Sequence, residues 1–333
     1  MNTFKYGVFF LFSLLFANSA WAGNPNLGTA GAQFLKIPVG ARATGLGGAY
    51  TGLCDDALSV FWNPAGIVNV KSHSVHFSNM RWFKMFDVNA ASYALNLSKF
   101  GALALGVMVF KMDKMEITDE FNPEGTGRYF DAQDIAMSAS YARRLTEKFR
   151  VGISLKYINQ RIWNETAYGI AFDVGTQYQI IFQNLTIAMS MRNFGPEMKM
   201  DGPDLNVKYD SDPNFPNRLI PTRLMTESYP LPLTFQFGVS LDLYESEFMM
   251  VKAAIDAVHP NDNQERIQVG SEVSFYDRLY LRGGYKYNSD DEQYNLGVGV
   301  NAFFGSVLLY ADYSNLFFKI LPDVHLISIG INF

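Results

Sequence analysis

The chain has 333 residues, of which 15% are aromatic, 27 are glycine and one is cysteine, and its formal net charge is −5. The acidic balance argues against a nucleic-acid partner, and a single cysteine cannot form an internal disulfide. The length would suffice for two soluble domains, but no linker or shift in composition divides the chain.

The first 22 residues have the organisation of a secretory signal peptide. Lys5 precedes an apolar run over residues 8–16, and residues 20–22 form the A-x-A cleavage signal Ala-Trp-Ala. The apolar run falls well short of the roughly 20 residues that a membrane-spanning helix needs, so an uncleaved anchor is the poorer interpretation. We expect the mature chain to begin near Gly23 and, having lost Lys5, to carry a net charge of about −6.

Residues 23–70 are rich in glycine and show no alternation of apolar and polar positions. Asp55 and Asp56 can cap a short helix over residues 57–62, which Pro64 would end. The segment is too short to fold alone, and ahead of a barrel it is predicted to lie in the lumen as a plug. The glycines in it that permit close backbone approach or a positive φ are Gly45, Gly47 and Gly48.

From residue 71 onward, large apolar side chains alternate with small or polar ones. Tyr294, Leu296 and Val298 share one face of a predicted strand, for example, while Asn295 and Gly297 share the other. The alternation predicts strands at about residues 72–80, 87–98, 101–111, 129–143, 149–160, 167–181, 184–194, 231–244, 247–258, 265–276, 278–288, 293–303, 305–315 and 323–333. These are roughly fourteen strands, an even number as in bacterial membrane barrels. The last ends on Phe333, which resembles the terminal aromatic signal for insertion of outer-membrane barrels.

Charged side chains lie within several strands on the face opposite the large apolar residues. In a soluble β-sandwich, which is the competing fold, each would cost several kcal/mol to bury unless paired, whereas a polar lumen accepts them. No apolar run after the signal peptide is long enough for a membrane helix, and a membrane protein without such helices must be a closed barrel. The predicted fold is therefore an all-β transmembrane antiparallel barrel of about 14 strands, over residues 71–333, in outer-membrane lipid. The predicted lumen charges are Asp173, Asp242, Glu272, Arg282 and Asp312.

Short turns alternate with longer connections along the predicted barrel, as expected for short periplasmic turns and longer external loops. The longer connections include residues 112–128 and 195–230. Structureless loops as long as the second are uncommon and often functional, so it is predicted to form an ordered external cap, with a solvated loop as the alternative. Its prolines are Pro196, Pro203, Pro213, Pro216, Pro221 and Pro230.

The run GARATGLGGAYTGLCDDALSVFWNPAGI, residues 40–67, resembles the N-terminal signature of the PorV/PorQ family. It is also similar, more distantly, to FadL-type transporters of long-chain fatty acids and other hydrophobic compounds. The shared elements are Gly-Leu-Gly-x-Ala-Tyr at residues 45–50, the acidic pair Asp55–Asp56 and Asn63-Pro64-Ala65. The resemblance implies a fourteen-stranded barrel with an N-terminal plug.

The FadL-like resemblance implies that the barrel passes small hydrophobic molecules across the outer membrane, with the plug gating their path. The PorV resemblance implies the alternative, a type IX secretion barrel that docks exported or partner proteins. A closed structural barrel that conducts nothing is a third interpretation.

Several residues are candidates for gating or for a ligand path. Asp55, Asp56 and Asn63 either hold the plug against groups such as Arg42 or Arg282, or simply cap the helix. The predicted plug and gating residues are Arg42, Gly45, Gly47, Gly48, Asp55, Asp56, Asn63 and Pro64. Candidates for an apolar ligand path, with plain packing as the alternative, are Phe61 and Trp62 in the plug and Met112, Met115 and Phe121 in an external loop.

Neither catalysis nor a cofactor is predicted. An outer-membrane lipase or acyltransferase would need a nucleophile beside a histidine. His73 and His76 lie three residues apart on a strand and should face opposite sides, while His259 and His325 have no evident serine and acidic partners. Residues 210–214 resemble the start of a calcium-binding loop, but Phe215 stands where glycine is needed, so no metal site is predicted.

Overall fold

The computed structural model describes residues 26–210 and 219–333. The predicted signal peptide, residues 1–22, lies outside the described residues, as do Pro213, Pro216 and most of the calcium-loop-like stretch. Fourteen strands form a closed antiparallel barrel in which each strand pairs with the next barrel strand along the chain, and the last pairs with the first.

The described residues form twenty strands, of which β4, β5 and β10 to β13 lie outside the barrel. Their bounds are β1 His73–Trp82, β2 Phe86–Asn96, β3 Ala102–Met112, β4 Met115–Glu116, β5 Tyr129–Phe130, β6 Ala132–Arg144, β7 Phe149–Ile162, β8 Glu165–Gln179, β9 Thr186–Phe194, β10 Met198–Lys199, β11 Asn206–Asp210, β12 Leu219–Arg223, β13 Ser228–Tyr229, β14 Thr234–Glu245, β15 Met249–Pro260, β16 Arg266–Phe275, β17 Leu279–Tyr287, β18 Glu292–Phe304, β19 Val307–Phe318 and β20 Val324–Asn332.

The predicted barrel is confirmed, and every predicted strand has an observed counterpart whose ends differ by at most three residues. The two faces of β18 show the basis of the agreement, because Leu296 is 57% exposed whereas Asn295 is 1% exposed. The outward apolar side chains are the surface that meets the hydrocarbon of the outer membrane.

The connections differ from the predicted regular alternation of long and short. β1 and β2 are joined by residues 83–85, and β7 and β8 by residues 163–164, because these strands extend further than their alternation indicates. Phe83 and Lys84 both adopt a positive φ, as tight hairpin turns require. The long connections are residues 113–131, which contain the pair β4–β5, and residues 195–233, which contain the pairs β10–β13 and β11–β12.

The barrel has two ends, named here by their connections. The end where the chain enters β1 and leaves β20 is called the terminal end, and the end with the two long connections is called the loop end. At the terminal end the barrel closes between β1 and β20, where His73 N donates to Phe333 O over 2.9 Å. The His73 and Phe333 rings stack with centroids 4.9 Å apart.

The N-terminal segment, residues 26–72, contains short helices and no strand. The helix predicted over residues 57–62 begins later, at Ser59, and Asp56 Oδ1 accepts a hydrogen bond from Leu58 N over 2.9 Å. The helices of the described residues are Gln33–Lys36, Ala41–Gly45, Ser59–Trp62, Pro64–Asn69, Ser98–Phe100, Phe182–Asn184 and Pro203–Leu205. None of these is long and apolar enough to cross a membrane.

Candidate functional site

The N-terminal segment lies across the barrel interior, with its backbone against the backbone of the wall. A Cβ on Gly297 of β18 would lie 3.2 Å from Gly45 Cα, and one on Gly284 of β17 would collide with Gly47. Strands on both sides of the barrel therefore leave room for the segment by presenting glycine. The inward glycines that meet it, on seven of the barrel strands, are Gly106, Gly152, Gly175, Gly238, Gly270, Gly284 and Gly297. Gly47 and Gly48 have φ values of +67° and +83°.

A chain of ion pairs connects the segment to three barrel strands. Arg42 Nη1 lies 2.5 Å from Asp55 Oδ1, and Arg42 Nε lies 3.2 Å from Glu272 Oε2 on β16. Glu272 Oε2 in turn lies 2.6 Å from Arg282 Nε on β17, whose Nη1 lies 2.5 Å from Asp312 Oδ1 on β19. Glu272, Arg282 and Asp312 are all buried, so the alternation of sign offsets the cost of removing these charges from water.

Asp56 lies beside Tyr50 and Arg42 in the N-terminal segment. Its Oδ1 accepts a hydrogen bond from Tyr50 Oη over 3.2 Å, and Arg42 Nη1 lies 3.7 Å from its Oδ2. Burial, followed by the charge of neighbouring Asp55, raises the pKa of Asp56 from 3.8 to about 6. Burial also raises the pKa of the Cys54 thiol well above its ordinary value, which keeps this thiol in its unreactive form.

Asp256 of β15, which was not predicted from the sequence, binds the backbone of the segment. Its Oδ2 accepts hydrogen bonds from Tyr50 N over 3.1 Å and from Thr51 N over 3.0 Å. Gln236 Nε2 of β14 donates to the same oxygen over 2.8 Å. The segment is therefore fixed to this side of the wall by its main chain, independently of the ion pairs around Arg42.

Asn63 and Pro64 lie at the junction of two short helices. Asn63 Oδ1 accepts a hydrogen bond from Ala65 N over 3.1 Å, which caps the second helix. Its Nδ2 donates to Thr51 O over 3.0 Å and to Thr176 O of β8 over 3.2 Å. Asn63 thus caps the helix Pro64–Asn69, which follows the predicted one, and it contacts the wall at Thr176 and not at Arg282.

Two cavities lie on opposite sides of the segment. The loop-end chamber has a volume of about 680 Å³, and residues 32–39 of the segment line it together with Phe61 and Trp62. Aromatic side chains from the wall, Trp82, Phe110 and Phe318, contribute to its apolar part. Its cationic side chains are Lys36, Lys156, Arg192, Arg266 and Lys286.

The terminal-end chamber has a volume of about 690 Å³. It contains the ion pairs around Arg42, and its lining includes Lys252, Tyr280 and Asn301. The N-terminal segment thus separates a loop-end chamber with an aromatic wall from a terminal-end chamber that contains the ion pairs of Arg42.

The predicted site residues do not form one cluster. Phe61 and Trp62 line the loop-end chamber, whereas Met112, Met115 and Phe121 are not part of its lining among the described residues. Phe121 is 90% exposed and Met115 47% exposed.

The remaining predicted lumen charges have partners away from the ion pairs of Arg42. Asp173 Oδ2 lies 2.7 Å from Lys156 Nζ, near the loop-end chamber. Asp242 Oδ2 accepts a hydrogen bond from Asn184 Nδ2 over 2.7 Å, towards the terminal end of β14.

The histidines are dispersed. His76 points inward and is 1% exposed, while His73 stacks with Phe333 on the other face of β1. Within residues 26–210 and 219–333, no group of three or more His, Cys, Asp or Glu side chains is placed to hold a metal ion.

Solved structures with the same fold include proteins described as channels and transporters. The CymD monoaromatic hydrocarbon channel has 13% identity and a TM-score of 0.55, over 89% of this chain and 97% of that chain. The toluene transporter TbuX of Ralstonia pickettii has 12% identity and a TM-score of 0.55, over 88% and 97%. A FadL homologue of Pseudomonas aeruginosa has 11% identity and a TM-score of 0.55, over 89% and 98%. At these identities the likeness establishes the fold alone.

The comparison with curated proteins found no match. The profile of the family described as type IX secretion system protein PorV matches residues 21–206, which is more than half of the chain. The family is described as a secretion system protein, and the first two solved structures as a channel and a transporter. This chain is an outer-membrane β-barrel that belongs to the PorV family.

Proposed function

We propose that the barrel passes small hydrophobic molecules across the outer membrane, and that its N-terminal segment acts as the plug that gates their path. The observation that carries this proposal is the position of the segment between two chambers of similar volume. Bacterial barrels usually have short turns on the periplasmic side and longer loops outside. The loop end therefore lies outside, and the loop-end chamber faces the exterior. A ligand would enter there and leave through the terminal-end chamber.

The lining of the loop-end chamber supports binding of an apolar molecule. Phe34, Trp62, Trp82, Phe110 and Phe318 are rigid apolar surfaces, and Trp82 meets Phe318 edge to face with ring centroids 5.9 Å apart. A pocket of this volume, in which aromatic walls stand beside polar groups that can orient a ligand, is typical of small-molecule sites. The solved structures of similar fold include a toluene transporter and a monoaromatic hydrocarbon channel, which accords with this ligand class.

We infer a gating role for the plug because it obstructs the path between the two chambers. The segment fills the barrel between the chambers and is held there by ion pairs at Arg42 and by main-chain hydrogen bonds to Asp256. Passage requires that at least one of these attachments be released. In this proposal the chain has no catalytic activity and needs no cofactor.

Planar-bilayer conductance tests the gating role. Deletion of residues 28–67 removes the separation between the chambers, so the single-channel conductance should rise sharply over that of the intact protein. The control is the heat-modifiable electrophoretic mobility of both proteins, which reports that the barrel is closed. Unchanged current from a correctly folded deletion protein would reject plug gating.

The family match is compatible with a second candidate, docking of proteins that belong to or are exported by a type IX secretion system. The hairpin β11–β12 and the residues after it expose apolar side chains at the loop end, including Leu219, Leu224 and Met225. Purification of the native protein from its own membranes separates the two candidates. Stoichiometric protein partners would favour docking, and an extracted lipophilic compound would favour passage.

A further inference from the structure

Two arginines in the loop-end chamber differ from the other cations that line it. Each of the three lysines has a carboxylate within 4 Å, whereas Arg192 and Arg266 have none among the described residues. The three ion pairs are Lys36–Asp262 at 3.0 Å, Lys156–Asp173 at 2.7 Å and Lys286–Glu292 at 2.5 Å. The chamber thus contains two guanidinium charges that no carboxylate neutralises directly, in a protein whose overall charge is negative.

Arg266 leaves its hydrogen-bonding capacity unused. Its Nε is buried without an acceptor, and its side chain forms no hydrogen bond within the part of the chain that the structure describes. Glu292, Asp290 and Asp262 act on it electrostatically; lysines bind Glu292 and Asp262, and Asn263 Nδ2 donates to Asp290 Oδ2 over 3.3 Å. A buried donor without an acceptor is costly, so a guanidinium in this state is suited to an acceptor from outside the protein.

Arg192 is held rigidly and also keeps a free donor. Its Nη1 donates to Phe61 O of the plug over 3.0 Å, and its Nη2 donates to Gln236 Oε1 over 3.0 Å. The guanidinium carbon lies 5.3 Å from the centre of the Trp62 ring, and the buried Nε has no acceptor. These contacts fix the orientation of the group before any ligand arrives, which reduces the entropy that binding would cost.

We propose that Arg192 and Arg266 form an oxyanion subsite in the loop-end chamber, and that the ligand is an organic acid with an aromatic body. The carboxylate would accept hydrogen bonds from the two guanidiniums, and the ring would lie against the aromatic wall that contains Trp82 and Phe318. A neutral hydrocarbon would leave both donors unsatisfied, so the chamber favours an acid over a hydrocarbon of equal size.

The subsite also gives the ligand a direct contact with the plug. Arg192 donates to the carbonyl oxygen of Phe61, in the helix Ser59–Trp62 of the plug. A carboxylate is a stronger acceptor than a backbone carbonyl and would compete for this donor. Binding of the acid therefore weakens one attachment of the plug. This inference rests on the proposed function, because it assumes that small molecules enter the chamber.

Calorimetric titration of the full mature protein with a matched pair of ligands tests the subsite. The probes are 2-naphthoate and 2-naphthamide, which have the same ring system and differ in charge at pH 7.5. Wild-type protein should bind the acid at least about tenfold more tightly than the amide. Arg266→Gln should remove most of this preference, because it weakens binding of the charged acid more than binding of the neutral amide. The variant should fold, because the Arg266 side chain forms no hydrogen bond within the described residues.

Two further variants complete the experiment. Arg266→Lys keeps the charge but loses the forked donor geometry, so it should bind the acid with intermediate affinity. Arg161→Gln removes an arginine that is ion-paired with Asp131 outside the chamber, and it should bind both probes as wild type does.

The outcomes separate the two proposals. If both probes bind equally well to wild type and to Arg266→Gln, the subsite is rejected while passage of apolar molecules stands. If neither probe binds to the folded protein, both the subsite and the proposed passage through this chamber are contradicted.

Discussion

The Glu272 carboxylate forms ion pairs with two guanidiniums, one from the N-terminal segment and one from the barrel wall. Its Oε2 lies 3.2 Å from Arg42 Nε and 2.6 Å from Arg282 Nε. Removal of this carboxylate would leave two positive charges facing each other in a site where Glu272 itself is 2% exposed. The attachment of the segment to β16 therefore depends on a single acidic side chain.

Glu272→Ala is expected to lower the free energy of unfolding by about 3–5 kcal/mol, the usual cost of breaking a buried ion pair. Urea denaturation in detergent micelles, followed by tryptophan fluorescence, measures the change. Glu245→Ala, which removes an exposed carboxylate from the neighbouring hairpin, is the matched control and should change stability by less than about 1 kcal/mol. Equal midpoints for the two variants would contradict the role assigned to Glu272.

The raised pKa of Asp56 predicts that the stability of the protein depends on pH. Because its pKa is raised from 3.8 to about 6, the folded protein holds this proton more tightly than the unfolded chain does. This contribution to the free energy of unfolding is complete below pH 4 and is lost as the pH rises to about 6, on the order of 1 kcal/mol per pH unit. Asp56→Asn removes the titration, so the difference between variant and wild type should vary over this interval. Parallel pH profiles would contradict the prediction.

At the scale of single residues, the sequence predicted which way side chains face better than which residues meet. Alternation indicates that Glu272 and Arg282 point inward, because successive strand residues face opposite sides. It does not indicate that Arg192 and Arg266 line the same chamber, since this depends on the stagger of strands around a closed barrel. Asp256 was missed because the donors that bind its carboxylate are backbone amides of the segment, which carry no sequence signal.

The N-terminal segment packs closely against the barrel strands at positions where those strands have glycine. In β17, Gly284 faces inward against Gly47, while the adjacent Gly283 faces outward and a Cβ there would meet nothing closer than 3.9 Å. Replacing each of these two glycines by alanine therefore separates the effect of a methyl group on the lumen side from the effect of a methyl group on the strand itself.

Gly284→Ala should displace the segment, because the added methyl group would occupy the position of the Gly47 backbone. A rise in the basal single-channel conductance, together with a lower thermal midpoint, is the expected result. Gly283→Ala makes the same chemical change on the lipid-facing side and should leave both quantities close to those of wild type. If the two alanine variants behave alike, the close contact between segment and wall is not what holds the segment.

At the scale of elements, the barrel strands could be predicted because lipid and lumen impose opposite demands on alternate residues. The small pairs β4–β5 and β11–β12 were not predicted, since strands outside the barrel meet water on both faces and need no alternation. The tight turns at residues 83–85 and 163–164 were also missed. Their positive-φ residues include Phe83, Lys84 and Trp163, none of which is a usual turn residue.

The whole molecule contains one thiol, and the fold encloses it. Cys54 is 1% exposed within the N-terminal segment and is the single cysteine of the chain. It can therefore report whether the segment moves inside an intact barrel, without any engineered label.

In the absence of ligand, Cys54 should react with a membrane-impermeant maleimide at least about tenfold more slowly than a cysteine introduced at exposed Ser98. Addition of 2-naphthoate should accelerate the labelling of Cys54, because the proposed passage requires the segment to shift. Mass spectrometry of the intact protein measures the rate. Labelling that stays slow in the presence of a ligand shown to bind would contradict gating by this segment.

The seven inward glycines have a consequence for the empty barrel. At these seven positions the wall presents only hydrogen atoms towards the segment, so it has no side chains there with which to fill the space if the segment withdraws. On these seven strands, the level of the barrel that the segment vacates would be the broadest part of the interior. It would be bounded there by peptide groups that water could solvate. The width of the opening would thus depend on how far the N-terminal segment withdraws, while the barrel wall itself stays rigid.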